Sequence, residues 1–170
     1  KLGVPVKSLR DWEIMFRGID LDKVYVFSVS NAQASVILSM HLILAERQGA
    51  DLKNLLGGMH NDILKEYMAR GNFIFPPKPS VRLVGDTMLY CSDTAPRYDA
   101  RLMCSIHIGE AGANRIHEAA FALANSIAYL DEIQRRGVDV LDVVKNGLFC
   151  TTPAVAVSRA NACTYCGASH

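Results

Sequence analysis

The run HNDILKEYMAR carries the side chains of this sequence that are best suited to bind a ligand. His60, Asn61 and Asp62 are consecutive, and Arg70 ends the run. A guanidinium grips a carboxylate through two parallel hydrogen bonds and stays charged. The pattern therefore predicts that Arg70 binds a carboxylate. The structural alternative is a solvated arginine that interacts with the carboxyl end of a helix dipole.

His107 is the second candidate, because it follows the apolar segment ARLMCSIHI and precedes the glycine-containing run GEAGA. A strand predicted over 100–108 puts this imidazole at the carboxyl end of a strand, where the active sites of parallel barrels form. A neutral imidazole can donate a hydrogen bond there. A hydrogen-bonded core histidine is the structural alternative.

Other residues of the sequence could bind a metal ion, but the signal is weaker than that for ligand binding by Arg70 and His107, and no metal site is predicted. The cysteines of CTYC, Cys163 and Cys166, have the spacing of zinc ligands, and His170 is near them. A structural zinc site, however, usually has four ligands. His107 and Glu110 have an H-x-x-E spacing, but no second histidine follows them.

The first half of the chain predicts a helix, a buried strand and a second helix. Ser8 suits a helix N-cap and Gly18 a helix end, KVYVFSVS has a strand composition, and Asn31 suits the next cap. Gly57 and Gly58 indicate a break in the chain, although a third strand over 55–60 stays open. The predicted ranges are helix 8–17, strand 23–30 and helix 32–48.

The second half predicts four more helices, the last of them short, and one more strand. They are a short helix 61–70 capped by Asn61, a helix that begins near Pro79 or Ser80, strand 100–108, and a long helix 113–136, after which Asp139 caps one more turn. Ile116, Ala120, Leu123, Ile127 and Leu130 form one apolar stripe on the long helix. The alternation indicates an α/β fold with a parallel sheet. An eight-stranded barrel needs about 250 residues, so this chain can supply only part of one.

The run HNDILKEYMARGNFIFPPKPSVRLVGD, followed by SIHIGEAGANRIHEAAFALANSIAYL, closely resembles the substrate barrel of adenosylcobalamin-dependent acyl-CoA mutases, above all those that act on methylmalonyl-CoA. That family shows a Q-N-D-I-L-K-E-x-x-x-R run and then Y-I-F-P-P-x-P-S. The resemblance covers roughly residues 3–144. It implies part of a (β/α)8 barrel of TIM type, with parallel strands, flanking helices and an incomplete mouth.

The resemblance also implies roles for individual residues. Arg70 falls where the family binds the free carboxylate of a methylmalonyl or succinyl group, and the catalytic His107 falls where the family contacts the thioester carbonyl. His60 and Asn61 would line the substrate site. The prolines of FIFPPKPS would support Arg70 structurally. Isomerisation of a dicarboxylic acyl-CoA by radical rearrangement of the carbon skeleton is the implied reaction.

Three positions depart from the family pattern: His60 stands where the family has glutamine, Ile106 replaces a tyrosine, and Gly109 replaces a bulky polar residue. These changes motivate a rival hypothesis, in which the chain is a truncated or degenerate relative that acts as a non-catalytic interaction module. The changes also suit an altered substrate.

The resemblance implies adenosylcobalamin as cofactor, but the cobalamin domain's D-x-H-x-x-G motif does not occur in this sequence. A cobalamin-binding domain or subunit is therefore an expected partner, in a homo- or hetero-oligomer, and the isolated chain is expected to be inactive. We divide the sequence into a partial substrate barrel, residues 1–145, and a divergent C-terminal tail, residues 146–170, that is rich in Ala, Ser, Thr and Cys.

Composition excludes several other classes of protein. The 18 Lys and Arg balance 17 Asp and Glu to a net charge of +1, which gives no support for binding nucleic acid. No apolar run is long enough to cross a membrane. Five cysteines without a framework spacing indicate a reduced intracellular setting. The resemblance implies the cytoplasm, or the mitochondrial matrix in a eukaryote.

Overall fold

The computed structural model describes residues 5–144 as a mixed arrangement of seven α-helices and three strands. A short 3₁₀ helix, Asn31–Gln33, precedes the second α-helix, and a π-helical turn, Glu66–Arg70, follows the third. The α-helices are α1 Leu9–Met15, α2 Ala34–Arg47, α3 Ile63–Lys65, α4 Pro77–Thr94, α5 Ile106–Glu110, α6 Arg115–Arg135 and α7 Val140–Val144, and the strands are β1 Val26–Val29, β2 Gly57–His60 and β3 Tyr98–Leu102.

The three strands form one parallel sheet in the order β1-β2-β3. Val26 pairs with Gly57, and Gly57 pairs with Tyr98. Each strand connects to the next through helices, as parallel neighbours require. The predicted α/β class is confirmed, and the third strand that the sequence left open is the central one. The complete barrel is not seen in residues 5–144.

The interpretation of Gly57 and Gly58 as a break was wrong, because both residues lie in β2. A Cβ atom at Gly57 would stand 2.4 Å from the ring of Tyr98, and one at Gly58 would stand 2.5 Å from the hydroxyl of Tyr25. These glycines therefore allow bulky neighbours to approach the strand closely, which is the other common reason for glycine inside a sheet.

Strand β1 is shorter and less buried than the predicted strand 23–30. Val26 is buried, but Phe27 and Val29 are 46% and 62% exposed. The β-branched and aromatic composition predicted the strand correctly, but it did not show that one face of the strand is exposed. Within residues 5–144, β1 lies at an edge of the sheet, and no described element covers its outer face.

Helix α1 begins as predicted, and α2 begins differently. The Ser8 side chain and the Asp11 carboxylate form a reciprocal capping box, and Gly18 follows the helix with φ of 79°. Asn31 does not cap α2, because the 3₁₀ helix intervenes and Asn31 itself has φ of 40°. Its side-chain oxygen instead accepts a hydrogen bond from the backbone N–H of Asp62 at 3.1 Å.

The apolar stripe predicted for α6 does not face the interior of the described structure. Ile116, Leu123 and Ile127 are 78%, 59% and 58% exposed. The buried face instead mixes polar and apolar side chains, because it packs on the polar residues that follow the strands. Its members are Glu118, Ala122, Asn125, Ser126, Tyr129, Glu132 and Ile133.

An aromatic cluster occupies the end of the sheet where the strands begin. We define it as Trp12, Phe16, His41 and Tyr98. Trp12 stacks on Phe16 and on His41 with ring centroids 5.0 and 5.5 Å apart, and His41 meets Tyr98 edge-on. Stacked and edge-to-face rings each add stabilisation beyond the area they bury. This cluster fastens α1 and α2 to the first residue of β3.

No helix among the described residues is long and apolar enough to cross a membrane. Cys91 and Cys104 are buried free thiols. The cysteines of CTYC and the boundary predicted at about residue 145 lie outside the described residues, so both remain predictions.

Candidate functional site

Arg70 is the last residue of the π-helical turn Glu66–Arg70. The turn closes with a hydrogen bond from Gly71 N to Glu66 O, and Gly71 adopts the left-handed conformation at φ of 71°, which suits glycine. π-Helical turns inside helices occur frequently at functional sites. The Arg70 side chain is 37% exposed, and its Nη1 atom lies 3.9 Å from the Glu66 carboxylate. The turn therefore presents a guanidinium that a ligand can reach.

A buried ion pair lies directly behind Arg70. Lys65 Nζ contacts Glu66 Oε1 at 3.1 Å, and the two side chains are 0% and 1% exposed. Lysine and glutamate are rarely buried completely, and a buried pair costs desolvation energy that structure alone seldom recovers. The second carboxylate oxygen of Glu66 is buried without a hydrogen-bond partner among the described residues. The sequence pattern did not indicate this pair, although it lies inside HNDILKEYMAR.

His107 lies beside this ion pair, but not at a strand end. Strand β3 ends at Leu102, and His107 is the second residue of the one-turn helix α5. The apolar composition of ARLMCSIHI extended the predicted strand too far. Two contacts involve the Nδ1 atom of His107: one with Lys65 Nζ and one with Cys104 Sγ, both at 3.4 Å.

The surroundings of His107 favour its neutral form. Partial burial, followed by the charges of Lys65 and then Arg70, lowers the pKa of His107, while Glu110 and Glu66 act in the opposite direction. The ring is thus close enough to both cations for their charges to act on it. An uncharged imidazole can donate one hydrogen bond and accept another.

His60 is the last residue of β2, at the end of the sheet where the strands finish. Its ring meets Phe27 edge-on at 5.0 Å. Burial lowers the pKa of His60 to about 4, with further contributions from Lys65 and His107. Its Nδ1 atom is buried without a partner among the described residues. The structure thus brings His60, His107 and Arg70 around the buried Lys65–Glu66 pair.

Asn61 is buried and turned into the protein. Its side-chain N–H groups donate to Thr87 Oγ1 at 2.7 Å and to the Ala100 carbonyl at 3.0 Å. These bonds fasten the end of β2 to α4 and β3. The structure does not bring the Asn61 amide nitrogen to the histidines, and its predicted role in substrate binding remains a prediction.

Asp62, not Asn61, caps the short helix that leads to Arg70. Its Oδ1 atom accepts hydrogen bonds from Lys65 N at 3.4 Å, Tyr129 OH at 2.8 Å and Asn125 Nδ2 at 3.3 Å. Burial raises the pKa of this carboxyl. The Asp62 side chain therefore fixes the start of the Lys65 segment against α6. The sequence pattern predicted no role for Asp62.

The proline-rich segment after Arg70 packs on the same short helix. Tyr67 donates a hydrogen bond to Ser80 Oγ at 2.8 Å, and its ring lies 4.5 Å from that of Phe73. Helix α4 begins at Pro77, two or three residues earlier than predicted. Proline is favourable at the first position of a helix, where its missing N–H has no partner to lose. These contacts tie the turn that carries Arg70 to α4.

We define the charged cluster as His60, Lys65, Glu66, Arg70 and His107. Among the described residues, no group of three or more His, Cys, Asp or Glu side chains could hold a metal ion. A groove of about 370 Å³ lies between α2 and α4, and none of the cluster residues lines it. The charged cluster combines an accessible guanidinium with two neutral imidazoles, an arrangement able to bind a ligand that carries both a carboxylate and a carbonyl oxygen.

The family model described as methylmalonyl-CoA mutase matches residues 1–152 of the chain. The match includes every residue of the charged cluster.

Curated relatives carry names of the same type. The chain is 37% identical over 142 residues to a methylmalonyl-CoA mutase of Escherichia coli, and the aligned region covers 84% of this chain and 20% of the relative. It is 40% identical over 136 residues to an ethylmalonyl-CoA mutase of Cereibacter sphaeroides, covering 80% and 21%. It is 41% identical over 138 residues to the 2-hydroxyisobutanoyl-CoA mutase large subunit of Aquincola tertiaricarbonis, covering 81% and 25%. The chain thus spans a quarter or less of the length of these relatives.

Proposed function

The chain belongs to the methylmalonyl-CoA mutase family, and we propose that it forms the substrate-binding part of a mutase that isomerises a dicarboxylic acyl-CoA of the methylmalonyl or succinyl type. One observation carries this proposal: the accessible Arg70 guanidinium and the His107 imidazole both lie against the buried Lys65–Glu66 pair. Arg70 and His107, the two predicted site residues, therefore contact the same buried ion pair.

Arg70 binds the free carboxylate of the acyl group in this proposal. Its present carboxylate neighbour, Glu66, lies at 3.9 Å, which is longer than a charge-assisted hydrogen bond. Among residues 5–144 the guanidinium therefore makes no short bond to this carboxylate, and its donors can be turned to a ligand. Two of the similar proteins are named for methylmalonyl-CoA and ethylmalonyl-CoA, whose acyl groups carry a free carboxylate besides the thioester.

His107 donates a hydrogen bond to the thioester carbonyl of the bound substrate. Burial and the neighbouring cations lower the pKa of this imidazole, so it is neutral at physiological pH. A neutral donor polarises a carbonyl without transferring a proton to it, which suits a radical rearrangement. His60 would contact the substrate as a second neutral ring, and Asn61 supports the end of the strand from which His60 projects.

Adenosylcobalamin would supply the organic radical that starts such a rearrangement when it is bound to the mutase. The cobalt of adenosylcobalamin is held by its corrin ring, and the D-x-H-x-x-G motif whose histidine is the lower cobalt ligand does not occur in this sequence. We therefore assign cofactor binding to a cobalamin-binding domain or subunit that assembles with this chain. The chain's own residues bind and orient the acyl group.

The parallel sheet is proposed to be three strands of a (β/α)8 barrel. The strands are parallel and adjacent in chain order, and helices connect them. Both outer strands are open edges within residues 5–144, and the exposed Phe27 and Val29 would be covered by neighbouring barrel elements. His60 stands at the carboxyl end of its strand, where barrel active sites form.

Calorimetric titration of the native assembly that contains this chain with methylmalonyl-CoA tests the proposal. Arg70→Ala is expected to weaken binding by about 10- to 150-fold, since a hydrogen bond to a charged group contributes about 1.5–3 kcal/mol. Arg82→Ala is the matched control. Arg82 also forms an i,i+4 pair with a carboxylate, Asp86, at 3.7 Å, but on the exposed side of α4.

The control variant is expected to bind methylmalonyl-CoA as the native assembly does. Equal affinities of the native and Arg70→Ala assemblies would overturn the proposed role of Arg70.

A further inference from the structure

Lys65 has a position that neither a solvated lysine nor a simple ion pair explains. Its side chain is fully buried, and the amine lies between two different partners: Glu66 Oε1 at 3.1 Å and His107 Nδ1 at 3.4 Å. The first partner neutralises the charge. The second is a ring nitrogen whose protonation decides what His107 can offer a ligand.

The direction of the contact between Lys65 and His107 follows from the chemistry of the amine. An ammonium group donates hydrogen bonds and accepts none. His107 Nδ1 must therefore accept, so it carries no proton. In a neutral imidazole the single proton then resides on the other nitrogen, Nε2. Both contacts of the ring within the described residues involve Nδ1, which leaves Nε2 for a ligand.

We propose that Lys65 is a positioning residue for His107: it holds the ring with Nδ1 directed inward and thereby keeps the Nε2–H tautomer ready to donate to the acyl group. The position and tautomer of His107 are properties of the chain alone. That the atom which accepts the hydrogen bond is the acyl carbonyl rests on the proposed function.

The charges around His107 agree with this arrangement. Lys65 and Arg70 disfavour a second proton on the ring, whereas Glu66 and Glu110 favour one. Glu66 is held by Lys65, and Glu110 is an exposed residue of α5 itself. Removal of Lys65 should therefore make His107 both easier to protonate and less selective between its two tautomers. The groups that face the ring are His60, Lys65, Glu66, Arg70, Cys104 and Glu110.

Cys104 offers the main competing explanation, because its sulfur also lies 3.4 Å from Nδ1. A thiol is a weak donor compared with an ammonium group. If Cys104 set the tautomer, Cys104→Ala would release the ring and Lys65 variants would not. The two residues can therefore be separated by mutation.

Nitrogen-15 NMR of the histidine rings in the full chain, without any ligand, tests the proposal. Native His107 is expected to show the Nε2–H tautomer and a lowered titration midpoint. In Lys65→Met/Glu66→Gln, which leaves no lone buried charge, both tautomers should appear. The midpoint should also rise, because the effect of Lys65 on the pKa of His107 exceeds the opposing effect of Glu66. Cys104→Ala should keep the native spectrum, and Glu110→Gln should move the midpoint slightly downward without changing the tautomer.

A native tautomer and midpoint in the folded Lys65→Met/Glu66→Gln variant would overturn the proposal, as would an Nδ1–H tautomer in the native chain. If the double variant does not fold, the native tautomer and the Cys104→Ala spectrum still decide between the two donors. Since no acyl-CoA is present, the result does not depend on the proposed function. Failure of that function would show instead as unchanged methylmalonyl-CoA binding in Arg70→Ala.

Discussion

The aromatic cluster and the charged cluster lie at opposite ends of the sheet, and each contains a histidine whose pKa falls to about 4. His41 is fully buried among the rings of Trp12, Phe16 and Tyr98, and burial is the only cause of its lowered pKa. His60 lies at the end of β2, and its pKa reflects burial together with the charge of Lys65 and the ring of His107.

The comparison shows that a lowered histidine pKa does not by itself mark a functional site. The two regions differ in the side chains that surround the histidine ring. In the aromatic cluster, apolar rings surround His41, and its contact with the Tyr98 hydroxyl at 3.4 Å is internal. In the charged cluster, fully buried Lys65 and Glu66 stand behind an accessible arginine. Buried charges near an open surface are costly and therefore suggest function.

The largest effect on stability is expected from breaking the buried pair of the charged cluster. Lys65→Met leaves the Glu66 carboxylate without its close partner and should lower the free energy of unfolding by about 3–5 kcal/mol. Urea denaturation of the purified chain measures this change. Adding Glu66→Gln to the same chain should restore at least half of the loss, because no lone buried charge remains. A loss below about 1 kcal/mol in Lys65→Met would contradict the buried pair.

The aromatic cluster is expected to make stability depend on pH. The pKa of His41 is about 4 in the folded chain and about 6.5 in the unfolded chain, so the unfolded chain binds the proton more readily. The stabilisation is complete above pH 6.5 and is lost as the pH falls toward 4, by up to about 3 kcal/mol at 1.36 kcal/mol per pKa unit.

His41→Phe should remove that part of the pH dependence and leave the part that His60 contributes from the charged cluster. Unfolding free energies measured between pH 4 and 7 for the native and variant chains give the difference. Identical slopes in the two chains would show that His41 is not buried as a neutral ring.

A smaller effect is expected where the central strand meets the aromatic cluster. A Cβ atom in Gly57→Ala would stand 2.4 Å from the buried ring of Tyr98, which has little room to move. Overpacking of this kind should cost about 1–3 kcal/mol. With Tyr98→Leu in the same chain, the Gly57→Ala substitution should cost less than it does alone. Strictly additive losses would show that the two residues do not collide.

Local signals in the sequence predicted several of the helix ends correctly. Ser8 caps α1, Gly71 ends the turn that carries Arg70, and Asp139 leads into α7 with its side chain accepting from Leu141 N. These features depend on neighbouring residues only, so composition and spacing suffice to find them. The parallel sheet also followed from the alternation of apolar strands and helices.

Long-range packing explains what the sequence did not reveal. Gly57 and Gly58 indicated a break because nothing near them in the chain shows that Tyr98 and Tyr25 approach the strand. The apolar stripe with Ile116 and Leu123 indicated a core-facing side of the helix, but both residues are exposed. The spacing of apolar residues shows which side of a helix is apolar, but not which element packs against it. The burial of Lys65 and Glu66 depends on α5 and α6, which lie some forty residues or more further along the chain.

The central claim is that Arg70 recognises the free carboxylate of the acyl group. Succinyl-CoA and butyryl-CoA form a matched pair of ligands, because a methyl group replaces the carboxylate of succinyl-CoA in butyryl-CoA. Titration of the native and Arg70→Ala assemblies with both ligands isolates the interaction between the guanidinium and the carboxylate. We predict that the native assembly binds succinyl-CoA at least about tenfold more tightly than butyryl-CoA and that Arg70→Ala loses this preference. A preference that survives in Arg70→Ala would contradict the account.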